Sequence, residues 1–301
     1  MTTIALNSAQ TDMIDRPPDT QAKLVWRHFR RHKLALVGMV FLILMVLVAI
    51  LGNWFMPHDP LEQNPGYSKG MPQPPSAKYL LGTDAFGRDI LSRLINGAQI
   101  SLSVGFVAVG ISALLGLILG SLAGYYGGWI DTLVTRMADI FLSVPSFFLM
   151  MTVNAYLRPS IYNVMIIIGL FNWMTVARLV RGEYLRLKQI DFISASRALG
   201  ASPLFLILRH LLPNALAPVI VAATIGIPSA ILLESSLSFL GLGVPPPQAS
   251  WGNMLFEARR WLSLAWWFWA PPGLLISLTV ISFNFVGDGL RDALDPTQHG
   301  R

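Results

Sequence analysis

Few residues in this 301-residue sequence have types and spacing that suggest catalysis. The Gly-x-Ser-x-Gly pattern of serine hydrolases is present at residues 66–70, with Ser68 at its centre. In hydrolases that pattern lies between a strand and a helix, which together present the serine at a sharp turn. Here Pro65 and Pro72 flank the pattern and predict a loop instead. A membrane hydrolase that uses Ser68 is therefore one hypothesis, which labelling with a serine-directed probe would test.

Other chemically active groups argue against a site on this chain. Cysteine is absent and the five His residues are scattered, so no metal site is expected. The sequence has no Gly-x-x-x-x-Gly-Lys-Ser/Thr motif and therefore lacks that device for binding ATP. We predict no catalytic, cofactor-binding or metal-binding residues and no nucleic-acid partner.

One acidic residue is notable because it follows a long apolar run. Glu234 comes about 20 helical residues after Asn214, which places it near a membrane surface. An acid at membrane depth is a candidate functional residue by default. It could contact solute, a partner subunit or water, and these alternatives stay open. The candidate solute path or outer gate comprises Glu234, Ser235, Ser238 and Phe239.

A charged, well-punctuated loop at residues 183–213 separates two apolar runs. Asp191 is predicted to cap a short helix over 192–199, and Gly200 suits the left-handed position that ends a helix. Ser202-Pro203 then predicts a second helix, with serine as its cap and proline at its first position. A membrane protein has little reason to build two short helices in one loop unless another protein docks there.

The elements that position these residues are predicted to be membrane-spanning helices. The chain is 53% hydrophobic and only 13% charged, whereas a soluble domain has about 25% charged residues. A bilayer core requires about 20 apolar helical residues per crossing. The fold class is therefore an all-α integral membrane protein with six spans, near 34–55, 100–125, 132–155, 160–181, 214–238 and 266–287.

The distribution of basic residues predicts the orientation of these spans. With the N-terminus inside, seven of the 22 Lys and Arg lie outside, namely Lys69, Lys78, Arg88, Arg93, Arg158, Arg259 and Arg260, which leaves 15 inside. This bias favours two cytoplasmic termini.

The predicted organisation follows from the spans and their orientation. Its parts are a cytoplasmic segment 1–33 with a polar, disordered start over 1–22 and a basic amphipathic helix over 23–33, a first helix 34–55, an extracytoplasmic loop 56–98, a membrane core 99–288 that includes the loop 182–213, and a cytoplasmic C-terminus 289–301. Within the outer loop, Thr83-Asp84 is predicted to cap a short helix that has Ile90, Leu91 and Leu94 on one face.

The second span carries a row of small residues spaced four apart. Ser112, Gly116, Gly120 and Gly124 share one helix face. Small side chains at this spacing let two helix backbones approach closely in a membrane. We predict a helix-packing role for these four residues.

Four stretches, taken together, resemble the permease "C" subunit of oligopeptide/dipeptide/nickel ABC importers, closest to the oligopeptide permease C subunit. They are residues 81–93 with 97–102, residues 194–200 with 210–213, residues 237–247 with 251–255, and residues 283–296. The second stretch is similar to the cytoplasmic "EAA" loop of the family. Ser194-Ala195-Ser196 replaces Glu-Ala-Ala there, which puts an ionic contact from that position in doubt.

This resemblance implies a type I ABC importer permease fold and a non-catalytic chain in a bacterial inner membrane. It implies a second permease subunit in a heterodimer, two ATPase subunits that bind ATP and Mg²⁺, and an extracytoplasmic solute-binding protein. The loop would seat in an ATPase groove as the coupling helix and transmit the closure of the ATPase pair. The implied coupling residues are Phe192, Ile193, Ser194, Ala195, Ser196, Leu199, Gly200, Ala201, Ser202, Pro203 and Phe205.

The leading hypothesis is thus a permease subunit of an ATP-driven importer of oligopeptides or dipeptides. The same architecture in this family also carries nickel chelates, glutathione or opines, so the solute stays open. An ion-coupled secondary transporter is the alternative from another class. It would need ionisable groups at mid-membrane, often with an inverted repeat, and the sequence shows neither.

Overall fold

The computed structural model describes residues 21–294. Residues 1–20, which hold most of the segment predicted to be disordered, and residues 295–301 lie outside the described part. Within 21–294 the chain is helical, with one isolated bridge between Thr83 and Asp89. Five of the described helices are long and apolar enough to cross a membrane, and a bent helix pair, counted as one span, gives a sixth. The predicted all-α membrane fold is confirmed.

The described helices fall into two groups along the chain. The first group is α1 (Gln21–Phe29), α2 (Lys33–Phe55), α3 (Pro65–Ser68), α4 (Ile90–Tyr126), α5 (Gly128–Ser143) and α6 (Ser146–Tyr156). The second group is α7 (Ile161–Leu170), α8 (Trp173–Leu187), α9 (Asp191–Ala198), α10 (Pro203–Leu206), α11 (Leu212–Phe239), α12 (Trp251–Ala258) and α13 (Trp266–Leu294). A π-helical turn, Ile207–Leu211, joins α10 to α11, and a 3₁₀ turn, Arg259–Trp261, follows α12.

Helix α4 is the centre of the bundle and packs against α2, α7, α8 and α11. Its closest partner is α8, and glycines line the contact. A Cβ atom on Gly116 would lie 2.5 Å from Cβ of Val176, and one on Gly120 would lie 2.5 Å from the carbonyl oxygen of Ala177. Gly124 also faces α8. The two backbones therefore approach more closely than any side chain at these positions would permit.

The start of α4 differs from the short outer helix predicted from Thr83-Asp84. The N-cap is Asp89, whose Oδ2 accepts hydrogen bonds from the Ser92 N–H (2.9 Å) and the Ser92 hydroxyl (2.6 Å). No breaker follows until Gly127, so the helix continues from Ile90 into the membrane span. At 1.5 Å per residue α4 is about 55 Å long and extends beyond a bilayer core of about 30 Å.

The third predicted span, 132–155, is not a continuous helix. Helices α5 and α6 meet at 85° across the short break around Pro145. Val144 has an extended backbone (φ −100°, ψ 133°), as expected for a residue that precedes proline. Counting charge-free residues finds the apolar run but misses the break, because proline carries no charge.

The two ends of the described chain pack together. Phe29 of α1 is buried against Ala35 of α2 and Ala293 near the end of α13. The imidazole Nε2 of His32 lies 3.3 Å from Oδ2 of Asp292. Helix α2 also packs along α13, so the first span is fixed to the last one.

Candidate functional site: an apolar knob and two buried polar clusters

The loop predicted to couple to a partner forms a compact knob, which we define as residues 191–211. Helix α9 begins at Asp191, one residue earlier than predicted, and the Asp191 side chain makes no capping bond. The carboxylate lies in the first turn instead, where a negative charge favours the helix dipole. Ile190, with an extended backbone, occupies the N-cap position.

The end of α9 is closed by a left-handed glycine. Gly200 has φ +85°. Its N–H donates to the Arg197 carbonyl at 3.0 Å, and the Ala201 N–H donates to the Ser196 carbonyl at 3.2 Å. These two bonds form a Schellman motif, which satisfies carbonyls that the last turn leaves free. The motif sets the angle between the two short helices of the knob.

The second short helix starts where the sequence predicts. The Ser202 hydroxyl accepts from the Phe205 N–H at 3.3 Å, and Pro203 takes the first helical position. The helix then widens into the π-helical turn before α11. Pro213 explains the widening, because it has no N–H to donate and its ring would clash with the carbonyl four residues earlier in a regular helix.

Apolar side chains divide sharply between the two sides of the knob. Ile193, Leu206 and Leu211 are buried, and Ile193 packs into the cluster of Tyr184 and Leu187. The exposed apolar side chains, with their exposed fractions, are Leu199 (89%), Leu204 (66%), Leu208 (53%), Phe205 (50%) and Phe192 (49%). The structure therefore places Ile193, unlike its neighbours in the predicted coupling set, on the bundle side.

The remaining predicted residues of the knob lie at its surface or edge. Ser194, Ala195, Ser202 and Pro203 are exposed, whereas Ser196 and Ala201 are half-buried. His210 lies between the rings of Phe192 and Phe205, with centroid distances of 5.8 and 5.4 Å. This aromatic contact joins the first short helix to the second.

Polar contacts attach the knob to the end of α4. The Lys188 ammonium donates to the carbonyl oxygens of Tyr125 (2.7 Å) and Gly124 (3.3 Å). It lies over the Tyr125 ring, as does the Arg197 guanidinium of α9. Burial, followed by the positive charge of Arg197, lowers the pKa of Lys188. The knob is thus held by α4 as well as by α8 and α11.

Glu234 lies near the opposite end of α11 and is fully buried. Its carboxylate accepts from the hydroxyl groups of Ser238 (2.6 Å), Ser235 (3.4 Å) and Ser101 (3.5 Å). The Ser101 hydroxyl in turn accepts from the Trp251 N–H at 3.2 Å. This carboxylate–serine cluster joins α4, α11 and α12.

The cluster does not form an open path in this conformation. Of the four residues predicted for a solute path or gate, Glu234, Ser235 and Ser238 are brought together inside the protein, whereas Phe239 is 44% exposed and lies outside the cluster. The hydrogen bonds satisfy an acid that would be costly if unpaired at this depth. Glu234 therefore contacts neighbouring helices rather than a cavity here.

A buried ion cluster near the start of α4 was not anticipated from the sequence. Arg93 is fully buried and donates from Nη1 to Glu257 Oε2 (2.6 Å) and to Asp84 Oδ2. Arg88 donates to Asp84 Oδ2 (2.6 Å) and to Glu257 Oε2 (2.7 Å). Two positive and two negative charges thus balance across the start of α4 and the helix α12. The available signal was the pair of acids and bases at 84–93 in an otherwise weakly charged chain.

Comparison with known proteins agrees with this architecture. Residues 116–299 match the family described as the inner membrane component of binding-protein-dependent transport systems. Residues 20–75 match the N-terminal transmembrane domain of oligopeptide transport permease C. A methionine ABC transporter, MetNI, in an inward-facing conformation, shares the fold with a TM-score of 0.54 at 22% identity over 68% of this chain and 98% of that chain.

Several bacterial permeases are similar over nearly the whole chain. The dipeptide permease DppC of Alkalihalophilus pseudofirmus is 43% identical over 93% of this chain and 93% of its own length. The di/tripeptide permease DppC of Pseudomonas aeruginosa is 43% identical over 91% of each chain. The glutathione permease GsiD of Escherichia coli is 45% identical over 91% of this chain and 90% of its own length. The chain belongs to the family of inner membrane components of binding-protein-dependent ABC importers.

Proposed function

We propose that this chain is one permease half of an ATP-driven importer of dipeptides or oligopeptides in a bacterial plasma membrane. The named peptide permeases, at about 43% identity over more than nine-tenths of the chain, support a peptide as the solute. The excess of basic residues on the knob side supports two cytoplasmic termini. The match to the permease C domain supports the "C" type of subunit.

In this proposal the working unit is larger than the chain. A second permease subunit completes the translocation path, two ATPase subunits bind ATP and Mg²⁺, and an extracytoplasmic binding protein delivers the solute. This chain itself holds no cofactor and performs no hydrolysis. Its task is to form half of the path and to respond to the ATPase subunits through residues 183–213.

The observation that carries the proposal is the exposed apolar surface of the knob. Leu199, Leu204 and Phe205 project from a segment whose other side is anchored by Ile193 and Leu206. A contiguous apolar patch of this kind marks a protein-binding surface. Because the Schellman motif and the serine cap fix its shape, the knob moves as one unit when a partner moves it. Such a unit is what coupling between two sites requires.

The test is Leu199→Asp in the reconstituted complex, with Gly200→Asp as a second variant. Leu199 is 89% exposed, and a Cβ on Gly200 would meet no atom within 4 Å, so neither change creates a clash within the chain. Asp also tolerates the left-handed backbone of Gly200 better than most residues. We expect uptake per ATP hydrolysed to fall by about tenfold or more, within the range of allosteric coupling energies.

The matched control for this test is Tyr156→Asp. Tyr156 is equally exposed (89%) but lies at the end of α6, away from the knob. Its substitution should leave the ratio of uptake to hydrolysis unchanged. Normal ratios in both Leu199→Asp and Gly200→Asp, with complexes formed in full yield, would show that the knob does not couple hydrolysis to transport.

Glutathione is a second candidate solute, because the glutathione permease GsiD is 45% identical to this chain. Radiolabelled dialanine and glutathione, supplied separately with the binding protein of the same system, distinguish the two. Uptake of dialanine that excess glutathione does not reduce supports the dipeptide proposal. ATP-dependent uptake of glutathione alone would replace it.

A further inference from the structure

A cavity of about 220 Å³ lies between α4, the α7–α8 segment and α11. Ser112, Asn172, Thr175 and Ser229 supply its polar side chains, and small residues such as Ala222 supply much of the rest. No Asp, Glu, Lys or Arg lines it. The cavity therefore offers hydrogen-bonding groups without charge.

The position of the cavity along the helices is near the middle of the membrane. Ser112 is about 21 Å along α4 from Tyr126, at 1.5 Å per residue. Gly226, which also lines the cavity, is about 21 Å along α11 from Leu212 by the same measure. Both distances are from the knob end, and a bilayer core is about 30 Å thick. At that depth lipid offers no hydrogen-bond partner.

The fourth span is interrupted where it meets this cavity. Helix α7 ends at Leu170, α8 begins at Trp173, and the turn between them contains Asn172. Irregular backbone at membrane depth is tolerated where it is buried in protein or lines a water-filled cavity. The Asn172 Nδ2 donates to the Ile168 carbonyl at 2.7 Å, and since a carbonyl only accepts, the orientation of the amide is settled. The amide oxygen is thereby left available as an acceptor.

Two hydroxyl groups of the cavity have no protein partner. Within residues 21–294 neither Ser112 nor Thr175 makes a side-chain hydrogen bond, although Ser112 is only 5% exposed. The Ser229 hydroxyl has one long contact, at 3.4 Å to the Ile225 carbonyl. A hydroxyl without a partner is costly in an apolar environment. The convergence of these groups indicates that water or a polar solute occupies the cavity.

The location of Ser112 separates it from the glycines that follow it in the predicted packing row. Gly116, Gly120 and Gly124 contact α8, whereas Ser112 lines the cavity. Thr175 and Ser229 are exposed at its mouth in the single chain. The open side is therefore available to face a second permease subunit across a shared path.

We propose that this cavity, rather than the surroundings of Glu234, is the part of the chain that contacts the solute in mid-membrane, and that it binds the backbone amides of a peptide. The proposal rests on the function proposed above. Asn172 Oδ1 accepts from a peptide N–H, and the Ser112 and Thr175 hydroxyls donate to peptide carbonyls. Because no charge lines the site, peptides of different net charge bind it alike and none is held too tightly to leave.

The first test uses the absence of cysteine from this chain. Thr175→Cys and Ser229→Cys are introduced singly into complexes whose partner subunits lack cysteine, and a charged, water-soluble methanethiosulfonate is applied. We expect both to be modified. Leu44→Cys, 53% exposed on the apolar face of α2, is the control and should stay unmodified. Unmodified cysteines at both cavity positions under all nucleotide conditions would overturn the proposal.

The second test measures charge selectivity. Thr175→Glu and Thr175→Lys should shift the uptake ratio of Ala-Lys to Ala-Glu in opposite directions, by about fivefold, since a unit charge acts over about 4 Å even in water. Thr175→Ser should keep the original ratio. Equal shifts in the two charged variants, or none, with normal complex yields, would overturn the proposal. If the unsubstituted complex takes up no peptide but the cavity cysteines react, the peptide function fails while the path assignment stands.

Discussion

At the scale of single residues, the structure assigns the largest electrostatic role to Arg93. Its guanidinium is fully buried between Asp84 and Glu257, which are separated by most of the chain. A buried ion pair contributes little net stability compared with apolar residues, but removing one partner leaves an uncompensated charge. The cluster therefore fixes how α12 meets the start of α4.

We predict that Arg93→Ala destabilises the protein by about 3–5 kcal/mol, because two carboxylates lose a shared partner. Thermal unfolding in detergent would measure the effect. The control is Arg178→Ala, which breaks the exposed pair with Asp139 and should cost no more than about 1 kcal/mol. Similar losses in the two variants would contradict the role given to the buried cluster.

At the scale of elements, the contact between α4 and α8 depends on the absence of side chains. Gly120 faces the Ala177 carbonyl, whereas Gly110 on the same helix has no atom within 4 Å of a built Cβ. The same substitution therefore has opposite consequences at two positions on one helix.

We predict that Gly120→Ala destabilises the bundle by about 1–3 kcal/mol, because the added methyl group forces the two helices apart. Gly110→Ala should instead be neutral or slightly stabilising, since alanine favours a helix more than glycine does. The apparent unfolding temperatures of the two variants, measured together, decide the matter. A loss in Gly110→Ala equal to that in Gly120→Ala would rule out the close approach as the cause.

At the scale of the whole molecule, one continuous helical element joins the knob to the buried clusters. It runs from Pro203 through the π-helical turn to Phe239. Near its far end, Glu234 is bonded to Ser101 of α4, whose hydroxyl holds the first residue of α12. Helix α12 then carries Glu257 to the ion cluster. A displacement of the knob therefore has a rigid route to the opposite end of the bundle.

This arrangement predicts a fixed sidedness. In oriented membrane vesicles, Leu199→Cys should react with an impermeant maleimide only from the cytoplasmic side, and Tyr156→Cys only from the outer side. Both side chains are 89% exposed, so accessibility within the chain does not bias the comparison. Labelling of Leu199→Cys from the outer side would contradict the proposed orientation and the docking of ATPase subunits to the knob.

Much of this protein is determined by local sequence. Long charge-free runs require helices, because a bilayer leaves backbone groups no other partner. Gly200 and Ser202-Pro203 end and begin the helices of the knob as predicted, since capping depends on residues within one turn. The break at Pro145 was also local, because proline forces Val144 out of the helical conformation.

Tertiary structure decided what local pattern leaves open. Arg93 and Glu257 are 164 residues apart in the chain and meet only because α12 packs on the start of α4. Ser112 has the spacing of a packing residue, yet it lines a cavity because α7 and α8 are interrupted opposite it. Spacing along a helix specifies which residues share a face, whereas the neighbouring helices determine whether that face meets a backbone, a charge or an open space.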